Sequence, residues 1–114
     1  MAKKDSQQNQ REHYRIRYPD LERPEFLVGK QKYPVLDVSE RGIRVKLPMS
    51  HVFVLGQIVK GIVKFRSGKQ VAIEGRIIRI TQAESSCSVQ LRRSIPLAYI
   101  MEEQRLLLQR YNEL

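Results

Sequence analysis

The chain has 114 residues, enough for one domain with a core of its own but too few for two. Hydrophobic residues make up 41% and charged residues 29%, a balance that excludes a disordered chain and favours a folded, water-soluble one. The net charge is +9, and 13 of the 21 basic residues are arginines, which grip phosphates and guanine edges bidentately. We therefore expect an anionic partner.

No apolar run approaches the roughly 20 residues that span a bilayer. Residues 1–10 are polar, lack the apolar stretch of a signal peptide, and are expected to form a flexible tail. We therefore predict a cytoplasmic protein without a membrane span.

The sequence offers few residues for catalysis or metal binding. Cys87 is the single cysteine, and His13 and His51 are the two histidines, so no intrachain disulfide or metal site of useful spacing is expected. No Ser-His-Asp set, Cys-His set or Gly-rich phosphate loop is suggested. Cys87 lies in a strand-like stretch, which favours a small buried side chain. We predict that the protein is not an enzyme and holds no metal or cofactor.

A basic, aromatic-rich run occupies residues 11–19. Pro19, Pro24 and Pro34 discourage long helices here, because proline fixes φ and removes an amide donor. The segment is therefore predicted to be extended or looped.

Strand-like patterns follow in six places. Residues 43–47 alternate strictly, which should bury one face and leave Arg44 and Lys46 on a charged outer face rather than in a site. Glycines in residues 29–31 and 66–69 predict hairpin connections, and Gly75 predicts a bulge or bend. The predicted strands cover residues 25–28, 33–38, 43–47, 57–65, 70–80 and 86–91.

Beyond residue 91 the period becomes helical. Pro96 suits a first helical turn, and apolar residues then recur at helical spacing over residues 95–112. Leucines at 106, 107 and 108 exceed what one face requires, which indicates deeper burial or a dimer contact and leaves monomer and homodimer open. The predicted fold is all-β with a C-terminal helix: a six-stranded antiparallel β-barrel over about residues 25–92, with the helix covering an opening or a flank.

Two short motifs carry the functional interpretation. Arg11 and Arg15 form R-x-x-x-R, and residues 37–42 form D-x-S-x-x-G at the end of a strand. Each alone is ordinary, since the first occurs in solvated basic runs and the second in turns that cap strands. Together, about twenty residues apart and followed by strands and a helix, they resemble the PilZ domain, and the match is compatible with residues 11–114.

The resemblance implies a PilZ-type barrel that binds cyclic di-GMP, with residues 11–19 wrapping over the ligand. It also implies the binding residues Arg11, Arg15, Asp37, Ser39 and Gly42. The chemistry agrees, because arginine forks suit phosphates or the guanine O6/N7 edge, and a carboxylate accepts the guanine N1–H and N2–H donors. Gly42 fits a backbone position with positive φ or close approach.

Three further residues are secondary candidates for the ligand. Arg17 either reaches phosphate or flanks a strand, Arg41 either joins the site or points to solvent, and Tyr14 either stacks on a base or packs on the barrel. Many PilZ relatives carry another arginine where this chain has Gln10, which leaves open one or two ligand molecules per site.

The predicted function is that of a cyclic di-GMP receptor that signals to an unknown downstream protein by ligand-induced ordering of residues 11–18. The resemblance implies control of motility, polysaccharide or biofilm. One alternative is a PilZ-like adaptor without ligand binding. The other is a small basic barrel that binds nucleic acid, but its few aromatic residues are interrupted by prolines, so no nucleic acid is expected.

Overall fold

The computed structural model describes residues 15–51 and 53–112. The tail predicted over residues 1–10, together with Arg11 and Tyr14, lies outside the described residues. The elements are β1 (Arg15–Arg17), a 3-10 turn (Asp20–Glu22), β2 (Glu25–Val28), β3 (Gln31–Ser39), β4 (Gly42–Lys46), β5 (Ile58–Lys64), β6 (Gln70–Thr81), β7 (Ser86–Leu91) and α1 (Leu97–Asn112).

Six of the strands close into an antiparallel barrel in the order β2-β5-β6-β7-β4-β3, which confirms the predicted fold. Closure is possible because β3 is long: its first half pairs with β2 and its second half with β4. The described part of the predicted 11–19 segment supplies an additional strand, β1, which pairs with the end of β3. Strand β1 thus places Arg15 next to the second motif.

A register shift in β3 decides which way the second motif faces. Tyr33 and Val35 point into the core, and in a regular strand Asp37 would do the same, because alternate residues share a face. The pairing with β4 shifts between Val35 and Asp37, and Val38 takes the next core position. Asp37 and Ser39 are therefore left on the outer face of the barrel.

The bulge predicted at Gly75 is wrong. The register between β6 and β7 shifts between Ile77 and Arg79, whereas Gly75 pairs regularly with both neighbouring strands. A Cβ at Gly75 would lie 2.6 Å from the carbonyl oxygen of Gln90, so this glycine permits close approach of two strands. The predicted hairpin turns are present, with left-handed φ at Gly29 (60°) and Gly68 (96°).

Cys87 is buried in the core, as the sequence predicts. Burial disfavours the thiolate and raises the pKa of Cys87 to about 11. The side chain is therefore a neutral thiol near pH 7.

The inward face of α1 contains a charged residue that the apolar periodicity does not indicate. Ile100 and Leu107 are buried, but a glutamate, Glu103, lies fully buried between them. Three other apolar residues of the helix are exposed, namely Leu97, Met101 and Leu108. The leucine run is thus divided between core and surface.

The Glu103 carboxylate joins three parts of the chain. It accepts hydrogen bonds from the Tyr18 hydroxyl at 2.7 Å and from the backbone N–H groups of Arg66 at 3.0 Å and Ser67 at 2.7 Å. Burial, together with the bond to Glu103, raises the pKa of Tyr18. Buried glutamate is thereby satisfied by donors from the end of β1 and from the β5–β6 hairpin.

A second buried carboxylate holds the far end of α1. Glu22 forms ion pairs with Arg66 Nη2 at 3.1 Å and with Arg110 Nε at 2.6 Å. Glu22 follows β1 closely in the chain. Its ion pair with Arg110 therefore ties the helix to the segment that carries Arg15.

Replacing Glu103 with alanine should strongly destabilise the fold, because the buried Tyr18 hydroxyl and two partly buried backbone N–H groups lose a charged acceptor. We expect a loss of about 3 kcal/mol in the free energy of unfolding, measured by urea denaturation. Glu102→Ala, in which an exposed pair with Arg105 is removed, should cause no measurable change. Equal effects of the two substitutions would contradict the anchoring role of Glu103.

Candidate functional site

The outer face of five adjacent strands carries two parallel rows of polar side chains. The first row follows directly paired positions across the sheet: Arg17, Asp37, Arg44, Ser88 and Arg79. The second row runs beside it: Arg15, Ser39, Gly42, Gln90 and Arg76. The D-x-S-x-x-G motif thus contributes one residue to the first row and two to the second.

Asp37 is the most shielded charge in these rows. Its carboxylate is 4% exposed and is held between two guanidinium groups. Arg15 Nη1 lies 2.5 Å from Oδ1, and Arg44 Nε lies 2.8 Å from Oδ2. Arg15 is itself half exposed, so its guanidinium remains accessible from solvent. The structure therefore brings the described arginine of the first motif onto the carboxylate of the second.

Arg44 is a site residue that the sequence interpretation missed. Its strand alternation does place it on the outer face, as predicted, but Asp37 faces the same way because of the shift in β3. Arg44 also pairs with Glu84 at 2.6 Å, and these contacts, led by the hydrogen bond to Asp37, raise the pKa of Arg44. Lys46 bonds the Glu84 carbonyl at 3.0 Å and stays at the periphery.

Ser39 and Gly42 close the turn between β3 and β4. The Ser39 hydroxyl donates to the Gly42 carbonyl oxygen at 3.3 Å. Gly42 does not adopt a left-handed φ; a Cβ there would instead lie 3.2 Å from the Val89 carbonyl oxygen. Close approach of β7, rather than a special backbone angle, thus accounts for the glycine.

A cleft of about 530 Å³ lies over this face, within the size range of ligand sites. Its lining combines arginines, small polar groups and a few aliphatic side chains, with no acidic residue: Arg15, Ser39, Arg41, Gly42, Ile43, Ile78, Arg79, Ser88, Val89 and Gln90. Such a lining attracts an anion. Among the secondary candidates, Arg41 lines the cleft and Arg17 lies opposite Asp37.

Two features are absent from the part of the chain that is described. Its His, Cys, Asp and Glu side chains form no group of three that would hold a metal ion. None of its helices combines the length and apolar character needed to cross a membrane.

The family model of the PilZ domain matches residues 9–111, a range that includes both motifs. The chain belongs to the PilZ domain family. PilZ proteins are typically receptors or adaptors for cyclic di-GMP signalling, and no enzyme family is indicated for this chain.

A solved structure supports the same fold. The PilZ chain described here is similar to the inhibitor of motility MotI/DgrA of Bacillus subtilis, with a TM-score of 0.63 and 15% sequence identity. The similarity covers 88% of this chain and 51% of that one, so this chain spans about half the length of the Bacillus protein. No curated protein matches the sequence.

Replacing Arg44 with methionine should destabilise this PilZ fold, because a shielded carboxylate loses one of its two cations while the aliphatic stem is kept. We expect a loss of about 1–3 kcal/mol in the free energy of unfolding. Lys64→Met, at an exposed position on β5, provides the control and should leave stability unchanged. Urea denaturation that shows no difference between the two variants would contradict the assignment of Arg44 to Asp37.

Proposed function

We propose that this PilZ domain is a receptor for cyclic di-GMP, which binds in the cleft beside the Arg15–Asp37 pair. One observation carries the proposal: Arg15 of the first motif contacts Asp37 of the second, at a cleft lined by arginines and by no acid. Arg11, Arg15, Asp37, Ser39 and Gly42 are the proposed ligand-binding residues. A ligand with two phosphodiester charges and two guanines matches both the cations and the carboxylate.

Binding requires an exchange at the Asp37 carboxylate. Each carboxylate oxygen can accept more than one hydrogen bond, so Arg44 can remain on Oδ2 while a guanine N1–H and N2–H approach the group. Arg15 occupies Oδ1 and has the more exposed side chain of the two arginines. In the proposed complex, Arg15 leaves Asp37 for a ligand phosphate or guanine edge, and Arg44 keeps the carboxylate oriented.

The remaining groups complete the recognition. Arg41 lies at the cleft and is free of ion pairs with other described residues, so it can face a phosphate. Ser39 and the backbone at Gly42 offer polar groups beside Asp37. Arg17 and Tyr14 remain secondary candidates in this proposal, and the number of ligand molecules stays open between one and two.

The output of the receptor is proposed to be a contact with a downstream protein in the cytoplasm, in the control of motility, polysaccharide or biofilm. The similar Bacillus protein is named an inhibitor of motility, which supports this class of process. Ligand-dependent ordering is proposed for residues 11–18, of which Arg15–Arg17 already form β1 beside β3.

Isothermal titration tests the receptor proposal. Cyclic di-GMP should bind, whereas GMP and cyclic di-AMP should bind far more weakly because they lack the paired guanines. Arg15→Ala should lower the affinity about 10- to 100-fold through loss of charge-assisted hydrogen bonds, and Arg105→Ala on α1 should leave it unchanged. Absence of binding to a folded wild-type protein would overturn the proposal.

An adaptor that binds no nucleotide is the second candidate, and one observation favours it. Both oxygens of Asp37 are already hydrogen-bonded to arginines within the chain, so the site is internally satisfied without a ligand. A silent titration would therefore move this candidate to first place.

Amide hydrogen exchange tests the ordering step. Saturation with cyclic di-GMP should slow exchange in residues 11–18, because contacts with the ligand restrict that segment. Residues 60–64 of β5, none of which lines the cleft, serve as the internal reference and should keep their exchange rates. Unchanged rates in residues 11–18, at saturation verified by calorimetry, would refute ligand-induced ordering.

A further inference from the structure

A group of exposed aliphatic side chains lies at the edge of the cleft, on the turn before β5, on β5 and on β6. Val54, Leu55, Ile58 and Ile78, here named the apolar patch, are between 46% and 64% exposed. Backbone hydrogen bonds bring them together: Gly56 N donates to the Ile77 carbonyl at 2.8 Å, and Ile77 N donates to the Gln57 carbonyl at 2.9 Å. The turn before β5 is thereby fixed against β6.

Arginines surround the apolar patch. Arg76 lies opposite Ile58 in the β5–β6 pairing and donates to the Gly56 carbonyl at 3.1 Å, and Arg79 follows Ile78 directly. A second cleft, of about 530 Å³, begins at Ile58 and is lined by three arginines: Arg41, Arg76 and Arg92. Its one acidic residue, Glu74, pairs with Arg92 at 3.4 Å.

An apolar centre with an arginine rim is the composition of a protein interface. Clusters of exposed aliphatic side chains often mark surfaces that contact another molecule. The arginine rim also indicates the charge of the partner, because a positively charged surface favours carboxylates on the partner's surface.

Other occupants fit this surface less well. A second copy placed symmetrically would set arginine against arginine, which repels. Nucleic acid would need aromatic side chains for stacking, and neither adjoining cleft is lined by one. A bilayer is flat, whereas two concave clefts border the patch.

We propose that the apolar patch and its arginine rim form a docking surface for a segment of another protein in which aliphatic side chains are flanked by aspartate or glutamate. This surface does not depend on nucleotide binding. It adjoins the nucleotide cleft, because Ile78 and Arg41 line that cleft as well, so a docked segment would lie against the ligand.

Two fluorescein-labelled synthetic peptides of equal length test the surface. They carry the same leucines, flanked by glutamates in one and by lysines in the other. Fluorescence anisotropy with the full chain, without nucleotide, should show binding of the acidic peptide alone. Amide chemical shifts should change at residues 54–58 and 76–79.

Matched variants separate the surface from the overall positive charge. Leu55→Ser and Arg92→Glu lie outside the nucleotide cleft and should each weaken binding of the acidic peptide about tenfold. Leu97→Ser on α1 and Lys64→Glu on β5 make the same kinds of change elsewhere and should have less than about a twofold effect. All four variants should bind cyclic di-GMP as the wild type does, so a failure of nucleotide binding is recognised separately.

Three results would overturn the proposal. The first is equal binding of the acidic and basic peptides, and the second is an equal effect of the test and control variants. The third is binding of anionic phospholipid vesicles, weakened in Leu55→Ser, while neither peptide binds; the surface would then belong to a lipid contact.

Discussion

The Asp37 carboxylate, shielded from water between Arg15 and Arg44, is the interaction on which the functional face depends. An unpaired charge at such a position costs several kcal/mol. The ion pairs with Asp37 therefore hold β1 and β4 against β3, in addition to the backbone pairing. The same carboxylate is the natural acceptor for guanine. A single group thus stabilises the unliganded fold and defines where a ligand would compete.

In the proposed complex, the two arginines have different roles. Arg44 is largely covered and is further held by Glu84, which suits a residue that stays in place. Arg15 lies on a three-residue strand, with half of its side chain exposed, which suits a residue that changes partner. The chain continues from Arg15 to Tyr18, whose hydroxyl bonds Glu103 of α1, so a displacement of β1 would reach the helix through one short segment.

Much of the fold follows from local patterns in the sequence. Strict alternation over residues 43–47 predicts a strand with one buried face, and glycines mark the hairpins, because each depends on residues close together in the chain. The two motifs, R-x-x-x-R and D-x-S-x-x-G, likewise indicate the family of the chain. What local patterns do not contain is the shift between Val35 and Asp37, since it arises from how β3 fits two neighbours at once.

That shift explains the missed site residue, because Arg44 becomes a partner of Asp37 only when both face outward. Glu103 is a similar case. As a charged residue in a helix it would be expected at the surface, yet it is buried, because donors from distant segments satisfy its carboxylate. In both cases, a polar side chain changes its expected place because partners far away in sequence satisfy it. Conversely, Glu103 occupies a position on the inward face of α1, and several apolar residues of the helix are exposed.

A crystal structure of the chain with cyclic di-GMP tests the exchange at Asp37 most directly. The account predicts a guanine edge within hydrogen-bonding distance of the Asp37 carboxylate, Arg44 Nε still on that carboxylate, and the Arg15 guanidinium moved onto the ligand. A complex in which Arg15 remains on Asp37, or in which the nucleotide lies away from this cleft, would contradict it.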